Sequence, residues 1–353
     1  MMVRGRDGAI SAAPPIDDAE AAELFSPWEA ATAVVIAVSG GPDSVALLGL
    51  AARWRLAGGG ARLMSATFDH GLRPESAREA RAVAAFSERL GVNHRTLLWE
   101  GEKPTTRVQE RAREARYDAL ARHAIENEAS HVAVAHHQGD QAETVLIRIA
   151  AGSGVGGLAG MSKVSWRNGV AIHRPLLDVT KDRLVATCRA RGWLFVEDPS
   201  NENDRFARAR WRALTPALAA EGLTEKRLIM LASRVRRAEA AIEGMVDAWM
   251  EADHWRIEDD GLIVDAQSWA AAAAEVRTRA LSRFIRKTAE TYGVAGAPER
   301  LERLERLEAQ IAAAVAAAQP LTRNLRGVLV SFDGEATLVF APEPPRRQTA
   351  RSS

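Results

Sequence analysis

Val34–Leu48 reads VVIAVSGGPDSVALL. A β-branched apolar run stops at two glycines, and an apolar pattern with helical spacing begins at once. A strand that turns into a helix through Ser39-Gly40-Gly41-Pro42-Asp43-Ser44 gathers backbone N–H groups at a helix N-terminus. Such a nest, aligned with the helix dipole, favours an anion. The glycines allow dihedrals and a close approach that a side chain would block, and Ser39 and Ser44 add hydroxyl donors. The lysine of a GxxxxGK(S/T) loop is missing, which argues against γ-phosphate transfer of that type. Asp43 instead brings a carboxylate, sensible beside a polyphosphate if it holds Mg²⁺. A plain glycine turn with Asp43 capping the helix is the competing reading.

Outward from this loop, 34–38, 61–68, 94–99 and 131–135 read as strands, with helical patterns near 43–57, 75–90, 106–127 and 139–150. This alternation predicts an α/β fold with a parallel, Rossmann-like sheet covered on both faces. Ligands of such sheets bind beyond the carboxyl ends of the strands, where Ser39, Asp69 and His136 fall. After about residue 205 the chain becomes Ala- and Arg-rich with helical spacing, and residues 204–239 hold nine Arg or Lys against four Asp or Glu. Leu301, Leu304, Leu307 and Ile311 mark a packing helix too short for a coiled coil. Asp333-Gly334 between alternating runs marks a terminal hairpin. The expected organisation is a flexible leader at 1–25, an N-terminal domain at 26–217, a smaller, mainly helical domain at 218–342 and a disordered tail at 343–353.

With 353 residues, 47% hydrophobic and 26% charged, the composition is that of a soluble globular protein. A net charge of +1 gives no global field for nucleic acid, so a basic footprint must be local. One cysteine, Cys188, excludes a disulfide framework and any multi-cysteine metal or cluster site. No membrane span and no signal peptide are expected, so the expected compartment is the cytoplasm.

Further motifs carry polar groups to the same sheet edge. FDHGLRPES (68–76) offers Asp69 and His70, which either contact a nucleoside or order a turn. QERAREARYDAL (109–120) places Arg113, Arg116 and Tyr117 near one helical face, which in isolation is equally a solvated basic face. In HHQGDQAET (136–144), His136 and His137 leave the fourth strand, while Asp140, Glu143 and Thr144 open a helix. The spacing matches no established zinc pattern, and Asp140 as a second Mg²⁺ carboxylate opposite Asp43 fits better. The glycine-rich GSGVGGLAG (152–160) reads as a mobile loop or a connection. FVEDPSNENDRFARARWR (195–212) adds Asn201, Arg208 and Arg212.

SGGPDS resembles the SGGxDS signature of the PP-loop, or N-type, ATP pyrophosphatases. That resemblance implies cleavage of ATP between the α and β phosphates and an adenylated intermediate. The ordered set SGGPDS, DHGLRPES, RxxRY, HHQGDQAET, the glycine-rich loop, RPLL and EDPSN resembles the tRNA(Ile)-lysidine synthetase family over roughly residues 30–212. One departure stands out: Ala209 replaces the Asn of the family's Arg-Asn-x-x-Arg, while Arg208 and Arg212 are kept. The resemblance implies ligation of free L-lysine to C2 of the wobble cytidine of an isoleucine tRNA with a CAU anticodon, releasing AMP and pyrophosphate and changing codon reading from AUG to AUA. It implies ATP as substrate and Mg²⁺ as cofactor. ATP would be bound by Ser39, Gly40, Gly41, Pro42, Asp43, Ser44, Asp69 and His70, and Mg²⁺ by Asp43 and Asp140. Arg113, Arg208, Arg212 and His136 would act on the reaction, supported by Arg116, Tyr117, His137, Glu143 and Asn201. A homodimer is compatible with the chain. The rival readings are another adenylating PP-loop tRNA enzyme, such as a thiolase, and a non-catalytic RNA-binding protein with a nucleotide-binding fold. A thiolase normally calls for catalytic or cluster-binding cysteines, whereas Cys188 sits in a helix away from every motif.

Overall fold

The computed structural model describes residues 13–71, 76–99, 104, 106–196, 207–258, 261–294 and 300–343, the side chains of 207–209 excepted. The chain divides into two compact units, the first ending at Ala232 and the second made of Gly152–Leu158 and the chain from Ser233.

In the first unit, α1 (Asp18–Phe25) leads to β1 (Ala33–Ala37), α2 (Pro42–Leu56), β2 (Arg62–Asp69), α3 (Ser76–Arg89) and β3 (Asn93–Leu98). Then come α4 (Val108–Glu126), β4 (His131–Ala133) and α5 (Gln138–Ala150). A short helix α6 (Val155–Leu158) belongs to the second unit. The first unit resumes with β5 (Val164–Arg167), β6 (Val170–His173), α7 (Lys181–Ala190) and α8 (Ala207–Ala220). The sheet runs β3-β2-β1-β4-β6-β5, parallel except for the edge strand β5. Registers such as Val35↔Met64 and Val35↔Val132 put β1 in the middle.

All five residues of β1 are buried, as expected of a strand covered on both faces. Val34 and Ile36 join Leu47, Leu50, Trp54 and Leu184 in one cluster. Ala33, Val35 and Ala37 join Tyr117, Leu120 and Ala124 of α4 in another. The alternation of side chains along β1 therefore sorts α2 and α7 to one face and α4 to the other. Gly49 interrupts the middle of α2 because a Cβ there would lie 2.5 Å from the ring of Trp193.

Residues 18–25, expected within a loose leader, form α1 instead. Asp17 caps it by accepting from Glu20 N at 2.8 Å. Ile16, Ala21, Phe25 and Trp28 are buried, with the Phe25 and Trp28 rings stacked at 4.5 Å. The Ala- and Asp-rich composition masked this apolar spacing.

Trp28 also donates from Nε1 to His173 Nδ1 at 2.6 Å. Burial pushes the His173 pKa down to about 4. The folded protein thus holds His173 neutral while the unfolded chain takes up a proton near 6.5. Stability is expected to fall as pH drops from about 6.5 to about 4, by at most about 3 kcal/mol from this group. Denaturant midpoints across that range test it, and His173→Gln should flatten the slope.

The second unit completes α9 (Glu225–Glu251), within which the division falls, and adds β7 (Trp255–Glu258), β8 (Gly261–Asp265), α10 (Ala266–Ala271) and α11 (Ala274–Thr291). It ends with α12 (Leu301–Ala316), β9 (Leu321–Leu325), β10 (Val328–Phe332) and β11 (Thr337–Pro342). The terminal hairpin is present as β10–β11, with Asp333 Oδ1 accepting from the N–H groups of Glu335, Ala336 and Thr337. It belongs to a larger antiparallel sheet, β7-β8-β11-β10-β9. Leu304, Leu307 and Ile311 of α12 pack with Trp269, Phe284 and Phe340 in this unit's core.

The division at 232 comes later than the expected 217/218. Ala142, Val145 and Leu146 of α5 cluster with Leu228 and Ala232, with Trp211 and Leu218 packed against them, so α8 and the first turns of α9 stay with the first unit. The expected tail lies beyond the described residues except for Glu343. Among the described residues, no helix is long and apolar enough to cross a membrane.

Candidate active site

The loop after β1 is held open by its own backbone and hydroxyls. Val38 N donates to Ala66 O at 2.9 Å, and Val196 N donates to Gly40 O at 2.9 Å. Gly40 takes φ +90°, a left-handed conformation that favours glycine. Ser39 N donates to Ser44 Oγ at 3.1 Å, and Ser44 Oγ to Gly41 O at 3.1 Å. Gly41 is the N-cap of α2, Pro42 opens its first turn, and no side chain caps it. Asp43 therefore does not cap the helix. Its Oδ1 is buried without a hydrogen-bond partner among the described residues.

This loop forms one wall of a cavity of about 710 Å³. His136 and His137 stand opposite, at the end of β4. His137 caps α5: its Nδ1 accepts from Gly139 N at 3.0 Å, and Asp140 Oδ2 accepts from His137 N at 3.0 Å. This reciprocal cap fixes the ring so that Nε2 lies 3.8 Å from Asp43 Oδ2 and 3.7 Å from Asp140 Oδ2. The two carboxylates, separated in sequence by the whole of β2-α3-β3-α4-β4, thus converge on the His137 ring. Burial, with Asp140 adding repulsion, raises the Asp43 pKa, although His137 and Lys181 oppose it. A carboxylate so placed has unmet demand for a cation, and two of them fit a divalent one.

Arg113 and Arg116 of α4 and Arg212 of α8 line the same cavity. Arg113 lies over the Tyr117 ring, Cζ 5.1 Å from its centroid. Arg212 Nε donates to Glu143 Oε1, and its Nη2 lies 4.0 Å from Asp140 Oδ1. Burial holds His136 down to about pH 3, so its imidazole is neutral near neutrality.

The other expected residues have supporting places. Asp69 orders its loop: its Oδ1 accepts from Gly71 N at 2.8 Å and Ser76 Oγ at 2.6 Å. His70 faces the cavity. Glu143 lies behind the cavity wall as the partner of Arg212. Thr144 Oγ1 donates to Asp140 O at 2.7 Å and so supports the start of α5. Arg208 falls in the first turn of α8 with its side chain outside the described residues, and Asn201 lies outside them altogether.

Two features were missed. Lys181, in the first turn of α7, lines the cavity and acts electrostatically on Asp43. Nothing in DVTKDRL signals this, because the contact depends on α7 packing beside α2. That packing also corrects the placing of Cys188, which is not remote: its Sγ donates to Pro42 O at 3.4 Å beneath the loop. Burial pushes its thiol up to about 12, so it behaves as an inert packing group.

The family model described as "PP-loop domain" matches residues 15–218. With the SGGPDS loop at the carboxyl edge of a parallel sheet, this makes the chain a PP-loop protein, a class whose ATP pyrophosphatase domain uses ATP. It is similar to a tRNA(Ile)-lysidine synthase of Bradyrhizobium sp. (strain BTAi1), 47% identical over 346 residues, covering 95% of this chain and 96% of that one. It is similar to another from Methylobacterium sp. (strain 4-46), 48% identical over 347 residues and covering 97% and 99%. Within the PP-loop class, the chain belongs to the tRNA(Ile)-lysidine synthase family. Among solved structures, a U34-tRNA thiolase from Methanococcus maripaludis with its 4Fe-4S cluster is similar at TM-score 0.53 and 17% identity, covering 62% of this chain and 77% of that one. That likeness is one of fold.

Proposed function

We propose that this protein ligates free lysine to C2 of the wobble cytidine of an isoleucine tRNA in two ATP-dependent steps. The observation that carries the reading is similarity to tRNA(Ile)-lysidine synthases over nearly the whole chain, joined to a phosphate loop facing Asp140 across one cavity. In the first step, cytidine O2 bonds to the α-phosphorus of ATP and pyrophosphate leaves. In the second, the lysine ε-amine bonds to C2, the C2–O bond breaks, AMP leaves with that oxygen, and a proton passes to solvent. Such an enzyme works where tRNA is, in the cytoplasm. The basic helices after residue 205 support a role in meeting the tRNA backbone, with binding that weakens as salt rises.

The chain's own groups divide this work. N–H groups of the Ser39–Ser44 loop hold the pyrophosphate portion. Arg113 and Arg212, which line the same cavity, neutralise phosphate charge, and Arg208 is assigned the same role from its place in the sequence motif. Asp43 and Asp140 would hold Mg²⁺, which when bound supplies positive charge against the departing pyrophosphate. Asp140 does this while capping α5, so its orientation is set before substrate arrives. Burial disfavours the charged form of His136, so we assign it to hydrogen bonding and orientation rather than to taking the lysine proton.

Lysine-dependent and tRNA-dependent AMP release, with lysine incorporated into an isoleucine tRNA transcript, tests the function. ATP turnover with no lysine incorporated overturns it. Lys181 supplies the positive charge that the loop itself lacks. Lys181→Met is expected to raise the KM for ATP about tenfold, and Lys181→Arg to retain most of the affinity. Equal losses in both variants would exclude a charge role.

A further inference from the structure

Arg174, just past the end of β6, is only 8% exposed. Arginine is rarely buried this far without a carboxylate partner. Among the described residues, the charged and polar groups that act on Arg174 are Tyr117 and Arg113, and neither is a carboxylate. Its seat is made of backbone and hydroxyl groups. Nη1 donates to Ser162 O at 2.9 Å and to Ser165 Oγ at 3.0 Å, and the backbone N donates to Lys163 O at 2.8 Å. Met161, which leads into this segment, is clamped to α5. Gln141 Nε2 donates to Met161 O at 2.8 Å, and its Oε1 accepts from Met161 N at 2.6 Å. The Arg174 guanidinium is therefore a fixed donor. Strand alternation from Ile172, which packs with Tyr117, puts it on the sheet face that α4 covers. There it hydrogen-bonds the Tyr117 side chain.

We propose that Arg174 and Tyr117 are positioning residues for Arg113, the arginine that α4 presents to the active cavity. The proposal rests on the phosphate-neutralising role given to Arg113 above. Tyr117 is 6% exposed, so its ring is held by packing and the exposed arginine conforms to it. Arg113 meets that ring twice: its Cζ lies 5.1 Å from the centroid, and its Nη2 donates to the hydroxyl at 3.4 Å. One phenol oxygen thus accepts from two guanidiniums, of which one is buried and anchored and the other lines the cavity. The two cations repel each other, and the oxygen between them offsets that repulsion. A long side chain already held over a ring loses less rotamer freedom when it meets a phosphate. Charge stabilisation of a transition state depends on such preorganisation. Stapling the β5–β6 hairpin does not account for Arg174 by itself. The bonds to Ser162 and Ser165 need a donor at Nη1 and no charge.

The test is a double-variant cycle read in tRNA-dependent pyrophosphate release. Tyr117→Phe keeps the ring and removes only the shared oxygen. It is expected to lower kcat about tenfold, the size of one hydrogen bond to a charged group, with the KM for ATP nearly unchanged. Arg174→Gln, which keeps a donor for Ser162 and Ser165, is expected to show a similar loss. In an Arg113→Ala background neither change should lower kcat further. The proposal is overturned if either variant retains the full rate. It is equally overturned if either loss persists undiminished once Arg113 is gone, because a purely structural role would persist there. A second readout needs no turnover: side-chain nitrogen NMR relaxation of the Arg113 Nε–H group, identified by its disappearance in Arg113→Lys. Tyr117→Phe should make that group measurably more mobile in the substrate-free protein, and unchanged relaxation overturns the proposal even if Arg174→Gln fails to fold. Lysine incorporation by the unaltered protein is measured in parallel. Its absence counts against the lysidine reaction alone, since the relaxation of Arg113 still decides the positioning.

Discussion

Asp43→Asn is expected to lower tRNA adenylation by at least about a hundredfold while leaving tRNA affinity nearly unchanged and the fold at least as stable. The three outcomes share one cause. Asp43 is held in a desolvated position with Oδ1 unpartnered and Asp140 nearby. Its pKa is raised, so the folded protein favours the protonated form more than the unfolded chain does. The stability attached to this group is therefore fully present below the ordinary carboxylate pKa and is lost as pH rises through the raised value. Asn is isosteric and uncharged, and escapes that loss. The unfolding midpoint of Asp43→Asn relative to the unaltered protein should accordingly rise between pH 4 and pH 7. This is the exchange of stability for function expected at a cation site. An Asp43→Asn protein that adenylates at more than a tenth of the normal rate would remove Asp43 from the proposed metal site. One less stable at neutral pH would show that the carboxylate has a structural partner instead.

Arg212→Ala should lose both activity and stability, and the two losses should separate in a double variant. Glu143 is 8% exposed and accepts from Arg212 at both oxygens. Removing the guanidinium leaves a buried carboxylate unpaired, which costs about 1–3 kcal/mol once the partial exposure of the Arg212 side chain is allowed for. Adding Glu143→Gln removes the stranded charge, so the double variant should regain most of the unfolding midpoint. Its adenylation rate should stay about a hundredfold down, because the cation proposed to face the phosphates is still missing. Recovery of rate along with stability would make Arg212 a strut for Glu143 rather than a phosphate contact. Failure to recover the midpoint would show that the Arg212 stem, not its charge, carries the packing.

Much of the first unit was legible because its signals are local. β1 is a continuous β-branched run, and Gly40-Gly41-Pro42 can only be a strand-to-helix turn. Asp333-Gly334 marks its hairpin in the same way. Elements whose apolar positions are sparse or mixed were not legible. The spacing of Ala21 and Phe25 in α1 is diluted by alanine and acid, so the segment read as a leader until Trp28 and His173 gave it a partner. Strands β7, β8 and β9 were missed because their exposed faces carry charges, and although β7–β8 and β9–β10 are local hairpins, the β8–β11 pairing that joins them into one sheet is long-range. The division at 232 was equally hidden, since it depends on which core Leu228 and Ala232 join.

Sequence alone marked a strand-to-helix loop suited to an anion and, through its resemblance to SGGxDS, pointed to the PP-loop class. Backbone N–H groups, glycine dihedrals and a carboxylate in the first turn of a helix are properties of six consecutive residues, and they hold wherever a strand precedes and a helix follows. Tertiary structure decided everything that requires two segments to meet. It turned Asp43 from one of two things, a helix cap or a cation ligand, into a carboxylate with nothing to cap. It locked His137 by a reciprocal cap so that Asp43 and Asp140 face one point, and brought Lys181 and Cys188 to the loop by packing α7 on α2. The physical reason is that side-chain charge acts through distance and desolvation, and folding alone fixes both.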